Sequence, residues 1–202
     1  YAGDGFGRMV KIIKDADGDG FSDFLIGAPF SPAGIYPGVG QAHLYLGGQG
    51  LTPTTQMTLS SPINSTNAYF GFSAAAMGEI ATKDGYADWV IGAWGGTSVP
   101  NTYPGWAAVY KGNPTLFTNQ PLPAFNIYSG NSSQNEGFSV ALSSPGDFNG
   151  DGIPDLIVGA MYANQADGAA YFYDGHFASP PLPNTILGGP TGAKSGFGYD
   201  VH

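Results

Sequence analysis

Apolar residues fall along this 202-residue chain in short runs set between Gly, Pro, Asn and Ser, and no stretch of normal helix length carries an amphipathic three-or-four spacing. The clearest runs are Phe24-Leu-Ile-Gly-Ala28, Val90-Ile-Gly-Ala93 and Leu156-Ile-Val-Gly-Ala160. They are short, rich in β-branched residues and bounded by Gly, which predicts buried strands. A further strand follows each one, at 40–47 (GQAHLYLG), 105–112 (GWAAVYKG) and 168–175 (GAAYFYDG), with Tyr45, Tyr110 and Tyr173 in register. A weaker run comes next, near Thr55 to Leu59, Ala124 to Tyr128 and Asn184 to Leu187.

The starts of these units are marked by Gly5-Phe6, Gly71-Phe72, Gly137-Phe138 and Gly196-Phe197, spaced 66, 66 and 59 residues apart. Four short strands per unit, repeated at a near-constant period with turn residues between them, suit radially arranged sheets. The expected fold class is all-β, a β-propeller pattern. It divides into repeats at 1–66, 67–132 and 133–192, with 193–202 supplying the first strand of a fourth.

Between the first and second strands, Asp15-Ala-Asp-Gly-Asp-Gly-Phe-Ser-Asp23 recurs as Asp147-Phe-Asn-Gly-Asp-Gly-Ile-Pro-Asp155. Oxygen ligands at positions 1, 3 and 5, with Gly at 6 for the tight turn, wrap a hard cation that takes six to eight oxygens. An EF-hand would need a bidentate Glu at position 12, inside a helix; here Ile26 or Val158 stands there, within a strand. The closing carboxylate is at position 9 instead. The expected ligands of two Ca2+ sites are Asp15, Asp17, Asp19 and Asp23, and Asp147, Asn149, Asp151 and Asp155, with the backbone carbonyls of Phe21 and Ile153 at position 7. The middle repeat reads Ile80-Ala-Thr-Lys-Asp-Gly-Tyr-Ala-Asp88, without carboxylates at positions 1 and 3 and with Lys83 among the remainder. It is expected to hold no calcium, leaving Asp84 and Asp88 to brace the turn.

The Gly-Phe or Phe-Gly start, the Asp-x-Asp-x-Asp-Gly-x-x-Asp loop and the strand end Gly27-Ala28-Pro29 together resemble the FG-GAP repeats of integrin α-subunit propellers, over essentially the whole chain. The resemblance implies a calcium-stabilised propeller, usually of about seven blades, concerned with adhesion or ligand binding. Propellers close with roughly four to eight blades, and three sheets alone would leave two apolar faces wet. The chain is therefore expected to be a segment of a larger propeller, its partners being the remaining blades or a partner chain.

The formal charge of −9 excludes a nucleic-acid backbone as partner, since phosphate binding needs a basic surface. Two bound dications would neutralise much of that acidity. No apolar run approaches a membrane span, so no membrane insertion is expected. Cysteine is absent, which removes disulfides, thiolate metal sites and a Cys nucleophile. Calcium loops of extracellular modules work at Kd of roughly 10⁻⁴ to 10⁻³ M, so the expected location is extracellular or at the cell surface. Asn64-Ser-Thr and Asn131-Ser-Ser fit the N-glycosylation pattern.

No nucleophile elbow or zinc-protease motif is present, and His43, His176 and His202 have no metal-ligand spacing. Residues 188–195 (GGPTGAKS) come close to a phosphate loop, but Ala193 replaces the required Gly and a strand start follows instead of a helix, which predicts a loop between repeats. The chain therefore reads as a non-enzymatic module that binds a protein or glycan ligand. An accessory propeller of a secreted hydrolase or lyase, and a component of a surface layer or filament, stay open as alternatives. Because strands alternate in direction, the long loops after the Gly-Ala strands lie on the face opposite the Asp loops. Their Tyr36, Trp94, Tyr103, Trp106 and Tyr162 form the candidate ligand surface.

Overall fold

In the computed structural model, which describes residues 3–48, 56–80, 83–96, 105–116, 121–130, 136–177 and 181–202, the chain forms three four-stranded antiparallel sheets. The first contains β1 (Met9–Lys14), β2 (Asp23–Ala28), β3 (Gln41–Tyr45) and β4 (Gln56–Ser60), paired in chain order. The second contains β5 (Ser73–Gly78), β6 (Asp88–Ala93), β7 (Trp106–Tyr110) and β8 (Phe125–Ile127), and the third β9 (Phe138–Gly146), β10 (Asp155–Ala160), β11 (Ala169–Tyr173) and β12 (Thr185–Gly188). The tyrosines expected in register occupy equivalent pairs, Phe24 with Tyr45, Trp89 with Tyr110 and Leu156 with Tyr173. Thr55, expected in the first of the fourth strands, lies outside the described residues.

The sheets stack through their first strands, β1 against β5 and β5 against β9. Alternation along each strand separates the two faces. Leu25, Ala42, Leu44, Met57 and Leu59 of the first sheet pack on Trp89, Ile91, Trp106 and Ala108 of the second. The opposite face of the second sheet, Val90, Ala107, Val109 and Ile127, packs on Leu142, Leu156, Val158 and Tyr171 of the third. The third sheet's own outer face repeats this series at the same register positions with Ile157, Ala170, Phe172 and Leu187. Leu59 and Ile127 are 2% and 0% exposed, whereas the equivalent Leu187 is 47% exposed.

The junction between sheets is a close backbone approach. A methyl group built on Gly27, Gly92 or Gly159 would overlap the backbone carbonyl of Gly71, Ser139 or Gly198 respectively. The crossover therefore needs Gly in the second strand wherever the next first strand crosses it. This contact also corrects the repeat register. Turns closed by Arg8 N–H to Gly5 C=O, Phe72 to Tyr69, Val140 to Gly137 and Tyr199 to Gly196 make Gly5, Tyr69, Gly137 and Gly196 equivalent. The second start is therefore Tyr69-Phe70, two residues before the expected Gly71-Phe72, and the spacings become 64, 68 and 59. Tyr69-Phe70-Gly71-Phe72 contains both a Gly-Phe and a Phe-Gly, and Tyr69 takes the left-handed conformation (φ 59°) that Gly holds in the other starts.

Ser139 occupies the other position of that turn that Gly fills elsewhere (φ 67°), fully buried. Its hydroxyl donates to the Trp106 carbonyl (2.6 Å) and accepts from Ala93 N–H (3.0 Å), while its carbonyl accepts from Ser73 Oγ (2.6 Å). Side-chain hydrogen bonds thus offset the strain of a non-Gly residue there.

The Asp at the start of each second strand is a second recurring clamp. Asp23 accepts from Ala16 N–H (2.8 Å) and Gly47 N–H (2.9 Å), Asp88 from Ile80 (2.9 Å) and Gly112 (3.0 Å), Asp155 from Phe148 (3.0 Å) and Gly175 (3.1 Å). All three are buried, and each ties its own Asp loop to the end of the third strand. Burial pushes the Asp23 and Asp88 carboxyls up to about 6, against the lowering effect of these hydrogen bonds.

Ser139→Ala, which leaves Ala93 N–H and the Trp106 carbonyl unpaired in the interior, is expected to lower the unfolding free energy by about 2 kcal/mol. Asp88→Asn, which sets an amide N–H against a backbone N–H, is expected to lower it by about 1–3 kcal/mol. Chemical denaturation of the two variants measures both.

Candidate metal centre

Turn chemistry builds the two Asp loops alike. In the first, Asp15 accepts from Gly18 N–H (2.6 Å) and Gly20 N–H (2.8 Å), Asp17 from Asp19 N–H (3.2 Å) and Asp19 from Phe21 N–H (2.8 Å). In the other, Asp147 accepts from Gly150 (2.6 Å), Asp151 (3.2 Å) and Gly152 (2.7 Å), Asn149 from Asp151 (2.9 Å) and Asp151 from Ile153 (2.8 Å). These Asx turns fold the loop so that the side chains at positions 1, 3 and 5 converge. Carboxylate oxygens of Asp15, Asp17 and Asp19 lie within 4.8 Å of one another.

Such crowding has an electrostatic consequence. Burial, then the neighbouring Asp19 and Asp15 charges, raises the Asp17 carboxyl, and the Asp17 and Asp19 charges add to the rise at Asp23. Asp147 is held low by the Gly152 N–H and its other backbone hydrogen bonds. An all-oxygen donor set with unsatisfied mutual repulsion fits a hard dication and offers nothing to a thiophilic one.

The structure corrects the reading of the middle loop. Gly78, Lys14 and Gly146 pair with Asp88, Asp23 and Asp155, so position 1 is Glu79 and the loop runs 79–88, one residue longer than the others. Glu79 Oε2 accepts from Gly85 N–H (3.1 Å), as Asp15 does from Gly20, so position 1 has kept an acid. The longer side chain spans the extra residue.

One neighbour of the other loop was not legible in the sequence. His176 Nδ1 lies 2.9 Å from Asp174 and 3.3 Å from Asp151, joining the turn after β11 to position 5. Residues 174, 176 and 151 are too far apart along the chain for spacing to reveal this. The phosphate-loop-like segment is occupied from within: Asp167 accepts from Gly192 N–H (2.7 Å) and Lys194 N–H (2.9 Å), which lower its pKa. A carboxylate sits where a phosphate would.

On the opposite face, the aromatic candidates separate. Trp106 lies on β7 opposite Ala93 and is fully buried, so it belongs to the core between the first two sheets and not to a ligand surface. The sequence hides this because Trp106 directly follows a Gly-rich loop. Tyr36 and Tyr162 are exposed, at 42% and 43%. Trp94 is half-buried, stacked on Tyr69 (5.1 Å) with Phe72 (5.7 Å) and Tyr162 (6.3 Å) beside it. Phe30 meets Tyr69 at 5.7 Å, which extends the row to the first sheet. Tyr103 and Asn131 lie outside the described residues, and Asn64 is exposed in the β4–β5 loop.

Comparison with known proteins agrees with this geometry. The FG-GAP repeat model matches residues 140–173. Integrin alpha-5 of Xenopus laevis is 32% identical over 160 residues, covering 77% of this chain and 15% of that protein. Human integrin alpha-IIb is 31% identical over 170 residues (79% and 15%), and mouse integrin alpha-8 is 30% identical over 160 (77% and 14%). The aligned part spans about a seventh of the length of these relatives. With three like sheets, a matched repeat model and relatives along most of its length, the chain belongs to the FG-GAP repeat family of integrin α-type β-propellers.

Proposed function

We propose that this chain is a calcium-braced segment of a larger extracellular propeller that presents loops for adhesion or ligand recognition. The observation that carries the calcium reading is the convergence of Asp15, Asp17 and Asp19 within 4.8 Å. Asp23 and the Phe21 carbonyl complete the first donor set. Asp147, Asn149, Asp151, Asp155 and the Ile153 carbonyl form the second, built by the same turns. When bound, the cation cancels the mutual repulsion of the loop carboxylates and locks the turn between first and second strands. Its role is structural.

The outer face of the third sheet supports the larger propeller, because Ile157, Phe172 and Leu187 repeat positions that a neighbouring sheet covers elsewhere. Residues Gly196 to Tyr199 already repeat the crossover turn, with Phe197 bridged in parallel to Gly168 as Phe70 is to Gly40. Units at 1–66, 67–132 and 133–192, followed by a further blade from 193, describe this organisation. For recognition, the aromatic row of Phe30, Tyr69, Trp94 and Tyr162 on the opposite face, with exposed Tyr36 on the same set of loops, offers apolar area with polar handles to a protein or glycan.

A chelator is expected to lower the Tm, and calcium, more than magnesium, to restore it. A cation at 100 times its Kd adds about 2.7 kcal/mol per site. Thermal melts with and without chelator test this, and an unchanged curve overturns the calcium reading. Tyr162→Ala is expected to weaken capture on a glycan array or in a protein pull-down while leaving the Tm within about 2 °C.

A further inference from the structure

The ten-residue middle loop, which lacks the full donor set, packs on the first calcium loop. Ala87 N–H donates to the Asp15 carbonyl (2.7 Å) and Asn113 N–H to the Ala16 carbonyl (3.0 Å), so positions 1 and 2 of the first loop hang from the second sheet. The Tyr86 ring covers Gly18 so closely that a methyl group built there would overlap its Cε1 edge. Tyr86 is itself held by the Asx turn from its N–H to Asp84 (3.2 Å) and is half-buried by this contact. The third sheet's loop has no following sheet packed on it among the described residues, so its Gly150 carries no such ring.

We propose that the middle loop serves as a platform for its neighbour, with Tyr86 the positioning residue that sets the cation affinity of the Asp15–Asp23 site. Gly18 lies between Asp17 and Asp19, and a flat ring against it fixes the backbone from which both carboxylates project. Residues outside the ligand sphere that orient ligands typically change metal affinity about 10–100-fold. The loop that lost much of its own donor set thus acts on a cation it does not touch. This inference rests on the calcium reading of the first loop.

The test is calcium and terbium titration of the whole chain, with Asp151→Asn used to silence the second site and Asp19→Asn to silence the first. Tyr86→Ala is expected to weaken the Asp15–Asp23 site by about tenfold or more and to leave the Asp147–Asp155 site unchanged. Tyr86→Phe, which keeps the flat ring, is expected to keep calcium affinity, a rescue that loss of fold would not give; its loss of much of the tyrosine-sensitised terbium emission from the first site reports the nearness of the ring to the bound ion. Tyr86→Leu, which retains bulk without the flat ring, covers the case in which the alanine variant does not fold, and falls between the two. Equal weakening of both sites, unchanged affinity of the first in the alanine and leucine variants, or undiminished terbium emission in the phenylalanine variant overturns the proposal. Absence of calcium binding to the wild-type chain at either loop overturns the calcium reading, and the inference with it.

Discussion

The close approach of one sheet's second strand to the next sheet's first strand is the constraint on which the rest of the structure depends. At Gly27, Gly92 and Gly159 the backbone leaves no room for a side chain. That contact sets the separation of successive sheets and therefore which side chains interlock between them. Gly in a strand interior is destabilising in isolation, so the burial of large apolar faces on either side must outweigh it. The fully buried Trp89, Trp106, Tyr110 and Tyr173 show how much apolar area the spacing admits.

Much of this was legible in the sequence because each repeat reuses the same physical solution. The Gly-Ala strand ends, the tyrosines of the third strands and the Asp loops fall where the period puts them. Two offsets escaped it, for related reasons. Tyr69 adopts the left-handed turn that Gly adopts in the other starts, so the neighbouring Gly71-Phe72 looked like the start. Glu79 reaches back over one extra residue, so its role at position 1 was hidden behind Ile80. Substituting a residue into a conformation or a reach it does not normally have leaves no trace in residue type alone.

Side-chain partnerships between distant loops were the least legible. His176 beside Asp151, Tyr86 over Gly18 and Asp167 within the Gly192–Lys194 loop all join segments that the period treats as independent. Trp106 went the other way: a large aromatic beside a loop suggested a surface, but the pleat turns it inward. Alternation along a five-residue strand is too short a signal to fix which face a first residue takes.

The carboxylate at the start of each second strand has a broader implication. Asp23, Asp88 and Asp155 each bind two backbone N–H groups, in the middle loop that lacks the Asp-x-Asp-x-Asp pattern as in the two that have it. The shape of the loop and the donor set it carries are thereby separable within one repeat. A lineage of such proteins can therefore let the residues of one loop drift toward other uses, one blade at a time, while the strand connection that the loop makes keeps its shape.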